Sequence, residues 1–314
     1  MASKRPIPGL ILGGAPALEK RVYNIILLGL PFVGSVVALV FAPSLGFTPA
    51  TAVVFLLFYG WTALGGTLGL HRYFSHRSFK ASRPVAILLA MGATFTMQGP
   101  IARWVADHRR HHRLEDHEGD PHSPYTTAGG QQLSRLTGLI HAHFTWMFDG
   151  SVSDPEHFCP ELLRDRVVMH FQRHFWLYAL LSLALPGTLG WMLGGRQEAM
   201  RCLLWAGCGR VFLIQQATFT VNSLGHSFGP QEFTTRDSSR NLWPFSILLL
   251  GDGYHNNHHA FPRSARIALL PGEIDPGHAA LRFLERLGLV SDILVPTPEA
   301  ILERRLRHPG ATSE

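Results

Sequence analysis

The stretch "GDGYHNNHHAFP" (residues 251–262) places three imidazoles, those of His255, His258 and His259, within five residues. The stretch "HRRHH" (residues 108–112) repeats the same spacing of i, i+3 and i+4. Residues three and four positions apart lie on one face of a helix, so each stretch predicts a short helix with three imidazoles on one side. Imidazole is a common metal ligand, and two such helices in one chain predict a metal site.

Two further stretches carry histidines at short spacing, "HRYFSH" (residues 71–76) and "NSLGH" (residues 222–226). The four stretches together supply nine histidines: His71, His76, His108, His111, His112, His226, His255, His258 and His259. Nine neutral imidazoles exceed what one ion accepts, because an octahedral centre takes six ligands and a reactive centre keeps one position open. The count therefore predicts two metal ions. Imidazole suits iron, copper, zinc and nickel, so the ligands alone do not name the metal.

Long apolar runs predict that the chain lies in a membrane. Of its 314 residues 16% are charged and 46% are hydrophobic, and the mean hydropathy is +0.10. About 20 apolar residues cross the roughly 30 Å hydrocarbon core of a bilayer. We predict four transmembrane helices, at residues 22–42, 49–70, 175–195 and 202–225. The fourth carries Arg210, Gln215 and Gln216, which we expect to face the bundle interior or a cavity; the alternative for Arg210 is that it snorkels to the membrane surface.

The distribution of charge predicts the topology. Residues 1–21 carry four basic side chains just before the first span and no cleavage site, so we predict a cytosolic N-terminal segment rather than a signal peptide. Residues 85–98 are too short to cross and predict a re-entrant or interfacial helix. Four crossings then return the C-terminus to the cytosol and place all four histidine stretches on that side. The predicted protein is multi-pass, with both termini and the active site cytosolic.

Several classes of protein are disfavoured by the remaining composition. The net charge of +6 fits an anionic membrane surface or phosphate-bearing substrates better than nucleic acid, because no basic stretch accompanies a nucleic-acid-binding motif. The three cysteines form no CxxC pair and are expected to be buried small side chains. The HExxH and Glu-x-x-His patterns are absent, as are GxGxxG, Walker A and CxxCH motifs. We therefore expect electrons to come from a separate protein.

The four histidine stretches, in this order and between these apolar runs, resemble the boxes of the membrane-bound fatty acyl desaturases, most closely the acyl-CoA Δ9-desaturases. The resemblance covers residues 70–266. It implies that the nine histidines bind two iron ions, with Asn222 holding a water near one of them. The implied fold is an all-α integral membrane protein whose four transmembrane helices support a cytosolic helical cap with a histidine-rich di-iron site. The implied desaturase domain is residues 22–290, followed by a C-terminal tail at residues 291–314.

The same resemblance implies a bent substrate tunnel. Its lining residues would be Gln98, Trp104, Asp107, Thr218 and Phe219. The chain departs from the family pattern in three places: Phe219 replaces a usual tryptophan, Ala106 replaces an arginine of the animal members, and Asp252 replaces a usual glutamate. Asp120 and His122, with Asp252, are expected to support the metal ligands from behind. His141, His143, His170 and His174 are expected to be structural.

The implied activity is an oxygen-dependent desaturation that introduces a cis double bond, at Δ9, into a saturated acyl chain carried by coenzyme A. Oxygen would be reduced to water with electrons from a separate donor such as ferredoxin, or cytochrome b5 with its reductase. Three alternatives stay open: an acyl-lipid desaturase, a fatty acyl hydroxylase on the same scaffold, and a membrane metal transporter. Transporters bind near the bilayer midplane, whereas these histidines are predicted at and beyond one membrane face.

Overall fold

The computed structural model describes residues 6–306, so the outer parts of the predicted N-terminal segment and C-terminal tail, residues 1–5 and 307–314, lie outside the described residues. The α-helices are α1 (Gly14–Val40), α2 (Ala42–Leu45), α3 (Pro49–Leu64), α4 (Arg83–Phe95), α5 (Ile101–Leu114), α6 (Arg135–His143), α7 (Pro155–Phe158), α8 (Arg166–Arg173), α9 (Phe175–Arg201), α10 (Arg210–Ser223), α11 (Trp243–Leu248), α12 (His255–Ala260), α13 (Pro276–Arg286) and α14 (Pro298–Leu306). Two π-helical segments, Gly65–Ser75 and Cys202–Gly209, continue α3 and precede α10. Short 3-10 turns are Thr145–Phe148, Leu162–Arg164 and Leu224–His226.

The described residues also contain two small antiparallel ribbons, a departure from the predicted all-α fold. Strand β1 (Leu10–Leu12) pairs with β3 (Ser151–Ser153), and β2 (Lys80–Ala81) pairs with β4 (Val290–Ser291). Each ribbon ties a distant part of the chain to the helical body. The second ribbon and α14 lie in or next to the predicted C-terminal tail, so that segment has regular structure up to residue 306.

Three helical stretches are long and apolar enough to cross a membrane: Gly14–Val40, Pro49–Ser75 and Phe175–His226, of 27, 27 and 52 residues. Their outward faces carry exposed aliphatic side chains such as Leu30, Leu56 and Leu180. An apolar outer surface of this kind is typical of a protein surrounded by lipid. The prediction of an apolar, helical membrane protein is therefore confirmed, with three such stretches where four separate spans were expected.

The 52-residue stretch contains both the third and the fourth predicted runs, and it folds back on itself. Gly194 and Gly195 leave the helical conformation, and Gly195 has a φ of 67° that favours glycine. Beyond these glycines the chain runs back beside the first part of α9. Contacts between the two arms show this: the Arg210 guanidinium donates hydrogen bonds to the carbonyl oxygen and the hydroxyl of Ser182, 28 positions earlier, at 2.6 and 2.9 Å. The two predicted runs are the two arms of one helical hairpin.

Arg210 is fully buried between the arms, as expected for a polar side chain that faces the bundle interior. Besides Ser182, it donates to the Thr62 hydroxyl at 2.7 Å and to the carbonyl oxygens of Phe95 and Ala206 at 3.1 and 3.0 Å. All five guanidinium N–H groups therefore have acceptors, which is the condition for keeping such a group inside a membrane protein. Arg210 joins α3, α4, α9 and α10.

The helices bring the histidine stretches to one end of the bundle. At the other end, the start of α3 meets the hairpin turn, where the Thr48 hydroxyl donates to Glu198 Oε1 at 2.7 Å. The stretch that begins at Pro49 therefore ends beside the end of α10, and these two ends carry the "HRYFSH" and "NSLGH" segments. Helix α4 has only 13 residues, about 20 Å, and is too short to cross a membrane. It leads into α5, which carries the "HRRHH" motif at the histidine end of the bundle. The three cysteines are buried and free.

Candidate metal centre

Four elements carry the nine histidines. His71 lies in the π-helical segment Gly65–Ser75, and His76 follows its last residue. Helix α5 carries three histidines in its second half, and α12 begins at His255. His226 closes the 3-10 turn after α10. A π-helix is rare and is found most often at functional sites, where the wider turn redirects side chains.

The first cluster consists of His71, His76, His108 and His258, whose possible ligand atoms all lie within 4.8 Å of one another. The Nε2 atoms of His71 and His258 are 3.0 Å apart, and those of His76 and His108 are 2.7 Å apart. His112 adjoins this cluster, because its Nε2 lies 2.8 Å from that of His258 and 3.1 Å from that of His108. Five imidazoles thus point their Nε2 atoms toward one place.

The second cluster consists of His111, His226, His255 and His259, again with all possible ligand atoms within 4.8 Å. The Nε2 atoms of His226 and His255 are 2.9 Å apart, and those of His111 and His259 are 3.3 Å apart. All four residues are buried. His112 also touches this cluster, since its ring stacks on that of His259 with centroids 4.5 Å apart. It lies between the two clusters.

The structure corrects the expectation that each HxxHH motif turns its three imidazoles the same way. In both motifs the i and i+4 histidines stay on one side, and the i+3 histidine joins the other cluster. The cause is helical geometry: at about 100° per residue, positions i and i+4 differ by about 40°, whereas positions i+3 and i+4 differ by about 100°. Each motif therefore serves both clusters.

Four carboxylates lie behind the imidazoles, on their Nδ1 side. Asp120 accepts a hydrogen bond from His111 Nδ1 at 2.9 Å, and Asp116 accepts one from His226 Nδ1 at 3.1 Å. Asp252 Oδ2 lies 3.2 Å from His71 Nδ1 and Asp237 Oδ2 lies 2.5 Å from His259 Nδ1. A carboxylate at Nδ1 fixes the tautomer and leaves the Nε2 lone pair free for a metal ion.

Burial favours the neutral imidazole at five of the nine histidines, and the surroundings of Asp252 favour its ionised carboxylate. Burial, reinforced by neighbouring imidazoles, lowers the pKa well below its usual value for His76, His108, His112, His255 and His258. Burial alone would raise the pKa of Asp252, but His71 and Arg72 outweigh it and lower the pKa to about 2. A neutral imidazole backed by a carboxylate is the form that binds a cation.

The dimensions of each cluster fit one metal ion. Two nitrogens about 2.1 Å from the same ion lie about 3.0 Å apart at a right angle and about 4.2 Å apart across it. The measured Nε2 separations of 2.7 to 3.3 Å fall near the first value. Facing lone pairs at such distances repel unless a metal ion or a shared proton lies between them. Two neighbouring sites of nitrogen ligands are thus present among the described residues.

Two adjoining cavities, which share part of their lining, lie beside the two clusters, and we refer to them as the polar and the apolar limb of one bent cavity. Its polar limb is lined by residues that include Lys20, Asn24, Arg103, Asp107 and Trp146. Its apolar limb is lined by residues that include Ala63, Leu70, Ile214, Val221 and Leu249. The two limbs share six lining residues: Gln98, Trp104, His108, His122, Thr218 and Asn222.

Three of these shared residues, predicted from the resemblance as tunnel residues, form one hydrogen-bonded chain at the bend. The Trp104 indole N–H donates to Gln98 Oε1 at 3.1 Å, and Gln98 Nε2 donates to the Thr218 hydroxyl at 3.2 Å. The Trp104 ring stacks on His108 with centroids 5.0 Å apart. The bend is therefore in direct contact with the first cluster.

The other predicted residues lie around this bend. Asp107 and Phe219 line the polar limb, and Asp107 accepts a 2.5 Å hydrogen bond from Ser153. Asn222 and His122 line both limbs, and the His122 ring lies 4.3 Å from that of His111. His143, expected to be structural, bridges Ser223 and Gln216 on α10. The histidines outside the boxes that were expected to be structural belong to none of the possible metal-binding groups among residues 6–306.

Asp116 and Asp237 escaped prediction. Asp116 lies four residues after the "HRRHH" motif, at a left-handed backbone position with φ 65°, which directs it toward His226, 110 residues away. That proximity to the motif is a weak signal. Asp237 lies in the loop "TTRDSS" (residues 234–239), where the sequence carries no metal-related pattern. Its contact with His259 depends on the tertiary fold alone.

An apolar helical bundle with two imidazole clusters beside a bent cavity defines a membrane protein with histidine-rich, metal-capable sites. Residues 19–269 match the family model for fatty acid desaturases, and the chain belongs to this family. It is 37% identical to a hex-5-enoyl-[acyl-carrier protein] acetylenase of Moorena producens, over 90% of this chain and 88% of that protein. It is 34% identical to the Δ9 acyl-lipid desaturase 2 of Arabidopsis thaliana, over 80% and 77%. It is 31% identical to an sn-1 stearoyl-lipid 9-desaturase of Synechocystis, over 86% and 79%. Membership makes the protein an oxidoreductase of acyl chains.

Proposed function

We propose that the protein is an oxygen-dependent, di-iron desaturase that introduces a cis double bond, at Δ9, into a saturated fatty acyl chain. The observation that carries the proposal is the contact between the bend of the cavity and the first imidazole cluster, through Trp104 and His108. A chain that follows the cavity would turn beside the metal-capable nitrogens. The bend would then select the pair of carbons that reacts.

The ligand sets follow from the two clusters. His71, His76, His108, His112 and His258 would hold one iron, and His111, His226, His255 and His259, with Asn222 through a water, would hold the other. Iron held by these residues would supply the oxidising chemistry with O2: the two hydrogens lost from adjacent methylenes, together with two electrons from a donor and two protons from solvent, would reduce O2 to two waters. The carboxylates behind four of the imidazoles keep the Nε2 atoms of those four turned inward.

The protein itself contributes position and exclusion of water. Gln98, Trp104 and Thr218 satisfy one another's hydrogen bonds at the bend, so this part of the wall presents no unsatisfied polar group to an alkyl chain. The apolar limb takes the methyl end of the chain. A pre-shaped slot of this kind lowers the barrier by orientation, because the reacting carbons are held close to the oxidant.

The carrier of the acyl chain is a proposal with two candidates. The first is coenzyme A, implied by the resemblance to acyl-CoA Δ9-desaturases. The second is a membrane glycerolipid, which is supported by the names of the Arabidopsis and Synechocystis relatives. Ala106, at the position of an arginine in animal members, is fully buried in an apolar cluster and offers no charge to a carrier phosphate.

Arg109, on the same helix as Ala106, is engaged in the fold. Arg109 donates to the carbonyl oxygens of Ser75, Phe74 and Phe158 and pairs with Glu161 at 2.7 Å. Neither it nor Ala106 supports a binding site for coenzyme A. We expect electrons from a separate donor, ferredoxin or cytochrome b5 with its reductase.

The proposed topology places four crossings in the membrane, with both arms of the Phe175–His226 hairpin spanning it and the histidine end in the cytosol. Its support is the placement of both histidine-bearing helix ends beside each other and the hairpin turn at the opposite end. The same arrangement argues against a transporter, since a transporter would bind its metal near the middle of the spans.

Lipid analysis of a desaturase-deficient host that expresses this chain tests the proposal. We expect new monounsaturated acyl chains with the cis double bond at Δ9, identified by gas chromatography and mass spectrometry. Hydroxylated chains without new alkenes would favour the hydroxylase alternative and count against desaturation. New alkynes would instead indicate an activity like that named for the Moorena relative. Separating the CoA and glycerolipid pools at early times shows which carrier is modified first.

A further inference from the structure

The two limbs of the cavity differ in chemistry, which gives a bound acyl chain a direction. The wall of the apolar limb includes Ala63, Ile214 and Leu249, which suit the methyl end of an acyl chain. The polar limb has Lys20, Asn24 and other polar residues in its wall. Under the proposed function, the oxygen-bearing end of the acyl group lies in the polar limb.

Several polar groups of this limb already have partners within the protein. Lys20 Nζ donates to the carbonyl oxygens of Trp146 and Ser151 at 2.9 and 2.8 Å and pairs with Asp149 at 3.2 Å. Asn24 Nδ2 donates to the Met147 carbonyl oxygen at 2.8 Å. These bonds fasten the Thr145–Phe148 turn to α1. They leave no Lys20 N–H for a ligand.

Two buried N–H groups that line the same limb have no acceptor among residues 6–306. They are the indole Nε1 of Trp146 and the guanidinium Nη2 of Arg103. The Trp146 ring is held in place by Lys20, whose Nζ lies 5.2 Å from the ring centroid, and by the His122 ring at 5.3 Å. Arg103 lies over Tyr23, with its Cζ 5.6 Å from that ring centroid. Both donors are therefore fixed before a ligand arrives.

A buried donor without an acceptor is costly, and a native site resolves the cost by binding an oxygen. Phe219, which lines the same limb, carries no donor at a position where the family usually has tryptophan. The two buried donors without an acceptor in this limb lie on the Thr145–Phe148 turn and on α5.

We propose that Trp146 Nε1 and Arg103 Nη2 recognise the carbonyl oxygen of the acyl ester or thioester in the polar limb. This deepens the proposed function and rests on it. The carbonyl is common to acyl-CoA, acyl carrier protein and glycerolipid substrates, so the same donors serve any of these carriers. Anchoring the carbonyl fixes how many carbons separate it from the bend, and so fixes the position of the double bond.

The test compares two ligands that differ only in the carbonyl, methyl stearate and octadecyl methyl ether. Each displaces a fluorescent fatty acyl probe from the full-length, iron-loaded protein in detergent, without an electron donor so that no turnover occurs. The variants are Trp146→Phe and Arg103→Met. The matched control is Trp205→Phe, because Trp205 Nε1 is also buried without an acceptor but lies on the π-helical segment Cys202–Gly209, packed against Phe47 and away from the cavity.

We expect the wild-type protein and Trp205→Phe to bind the ester roughly fivefold more tightly than the ether, the scale of one buried hydrogen bond. Trp146→Phe should lose most of this preference, Arg103→Met part of it, and both should bind the ether as the wild type does. Desaturation by Trp146→Phe should spread over more than one bond position.

Equal binding of ester and ether by the wild type, or an ester preference kept in both variants, would overturn the recognition proposal while leaving desaturation intact. Failure of both ligands to displace the probe from any form would contradict the proposed function itself. Separate arms with stearoyl-CoA and with stearoyl phosphatidylglycerol vesicles show which carriers place their carbonyl in the polar limb, because the binding of such a carrier weakens in Trp146→Phe. No weakening in either arm would also count against the proposal.

Discussion

At the scale of single residues, the four carboxylates at the Nδ1 atoms of the imidazoles orient those rings, so that the Nε2 atoms face the metal clusters. Asp237 has a fully buried side chain and lies 2.5 Å from His259 Nδ1. Ser238, its neighbour, donates its backbone N–H to Asp116, which in turn bonds His226. One loop thus supports two imidazoles of the second cluster.

We therefore predict that Asp237→Asn weakens one of the two metal sites and spares the other. Loss of a supporting partner typically costs about 10- to 100-fold in metal affinity. Iron content measured by mass spectrometry during titration with a chelator should show half of the iron leaving at lower chelator concentration. Asp292→Asn is the control, since Asp292 is exposed and pairs with Lys80 on the surface, away from the described metal clusters. Superimposable titration curves for the two variants would refute the assignment.

The sequence predicted which histidines form the candidate site, but not how they divide between the two clusters. Spacing is local information, so it identifies that His108, His111 and His112 lie on neighbouring parts of a helix surface. It does not say that His111 faces a different partner, because that depends on where α12 and the end of α10 lie. The same limit applies to Asp237. Its contact with His259 joins a loop to helix α12, and the sequence does not show that these two segments meet. Asp252 was predicted and does lie beside His71.

At the scale of elements, the hairpin of α9 and α10 is held together by Arg210. Arg210→Met would leave the Ser182 carbonyl and the Thr62 hydroxyl without their donor inside the bundle. We predict a loss of about 3 kcal/mol in the free energy of unfolding, since each buried group left unpaired costs about 1–3 kcal/mol. The unfolding midpoint in detergent measures it. Arg196→Met, on the exposed side of the hairpin turn, should unfold as the wild type does, and an equal midpoint for both variants would contradict this role.

The wall between α3 and α10 should set the length of the acyl chain. Ala63 is buried on α3 and lines the apolar limb, so Ala63→Phe would fill the space where the methyl end lies. We predict a shift of activity toward shorter acyl chains, measured by competition between substrates of different length. Val53→Phe, which places the same ring on the exposed face of the same helix, is the control. An unchanged preference in Ala63→Phe would mean that the chain ends elsewhere.

At the scale of the whole molecule, the sequence predicted that the protein lies in a membrane. It predicted the path of the chain through the membrane only in part. Apolar runs of about 20 residues are read directly from composition. Whether two runs form separate helices depends on the backbone between them, here Gly194 and Gly195, whose non-helical angles allow the turn. The two ribbons were not predicted because their strands have only two or three residues each. The paired strands are also far apart in the sequence: β1 pairs with β3, and β2 with β4.

The metal ions should hold the molecule together, because each cluster draws its imidazoles from segments far apart in the chain. The first unites the end of the Pro49–Ser75 stretch, α5 and α12. An ion that binds only the folded state stabilises it by RT ln(1 + [L]/Kd), about 4.1 kcal/mol at a thousandfold excess over Kd. We predict that chelation lowers the unfolding midpoint and that ferrous iron restores it.

A pair of variants separates this effect from general damage by the chelator. His258→Ala removes a nitrogen that lies 3.0 Å from His71 and 2.8 Å from His112, so it should lose a large part of the iron-dependent shift. His170→Ala removes a histidine that contacts Tyr178 outside both clusters and should retain the whole shift. A wild-type midpoint that does not respond to iron, or a full response in His258→Ala, would show that the clusters do not bind metal in the folded protein. Because the readout is stability, the result is independent of substrate, oxygen and electron donor.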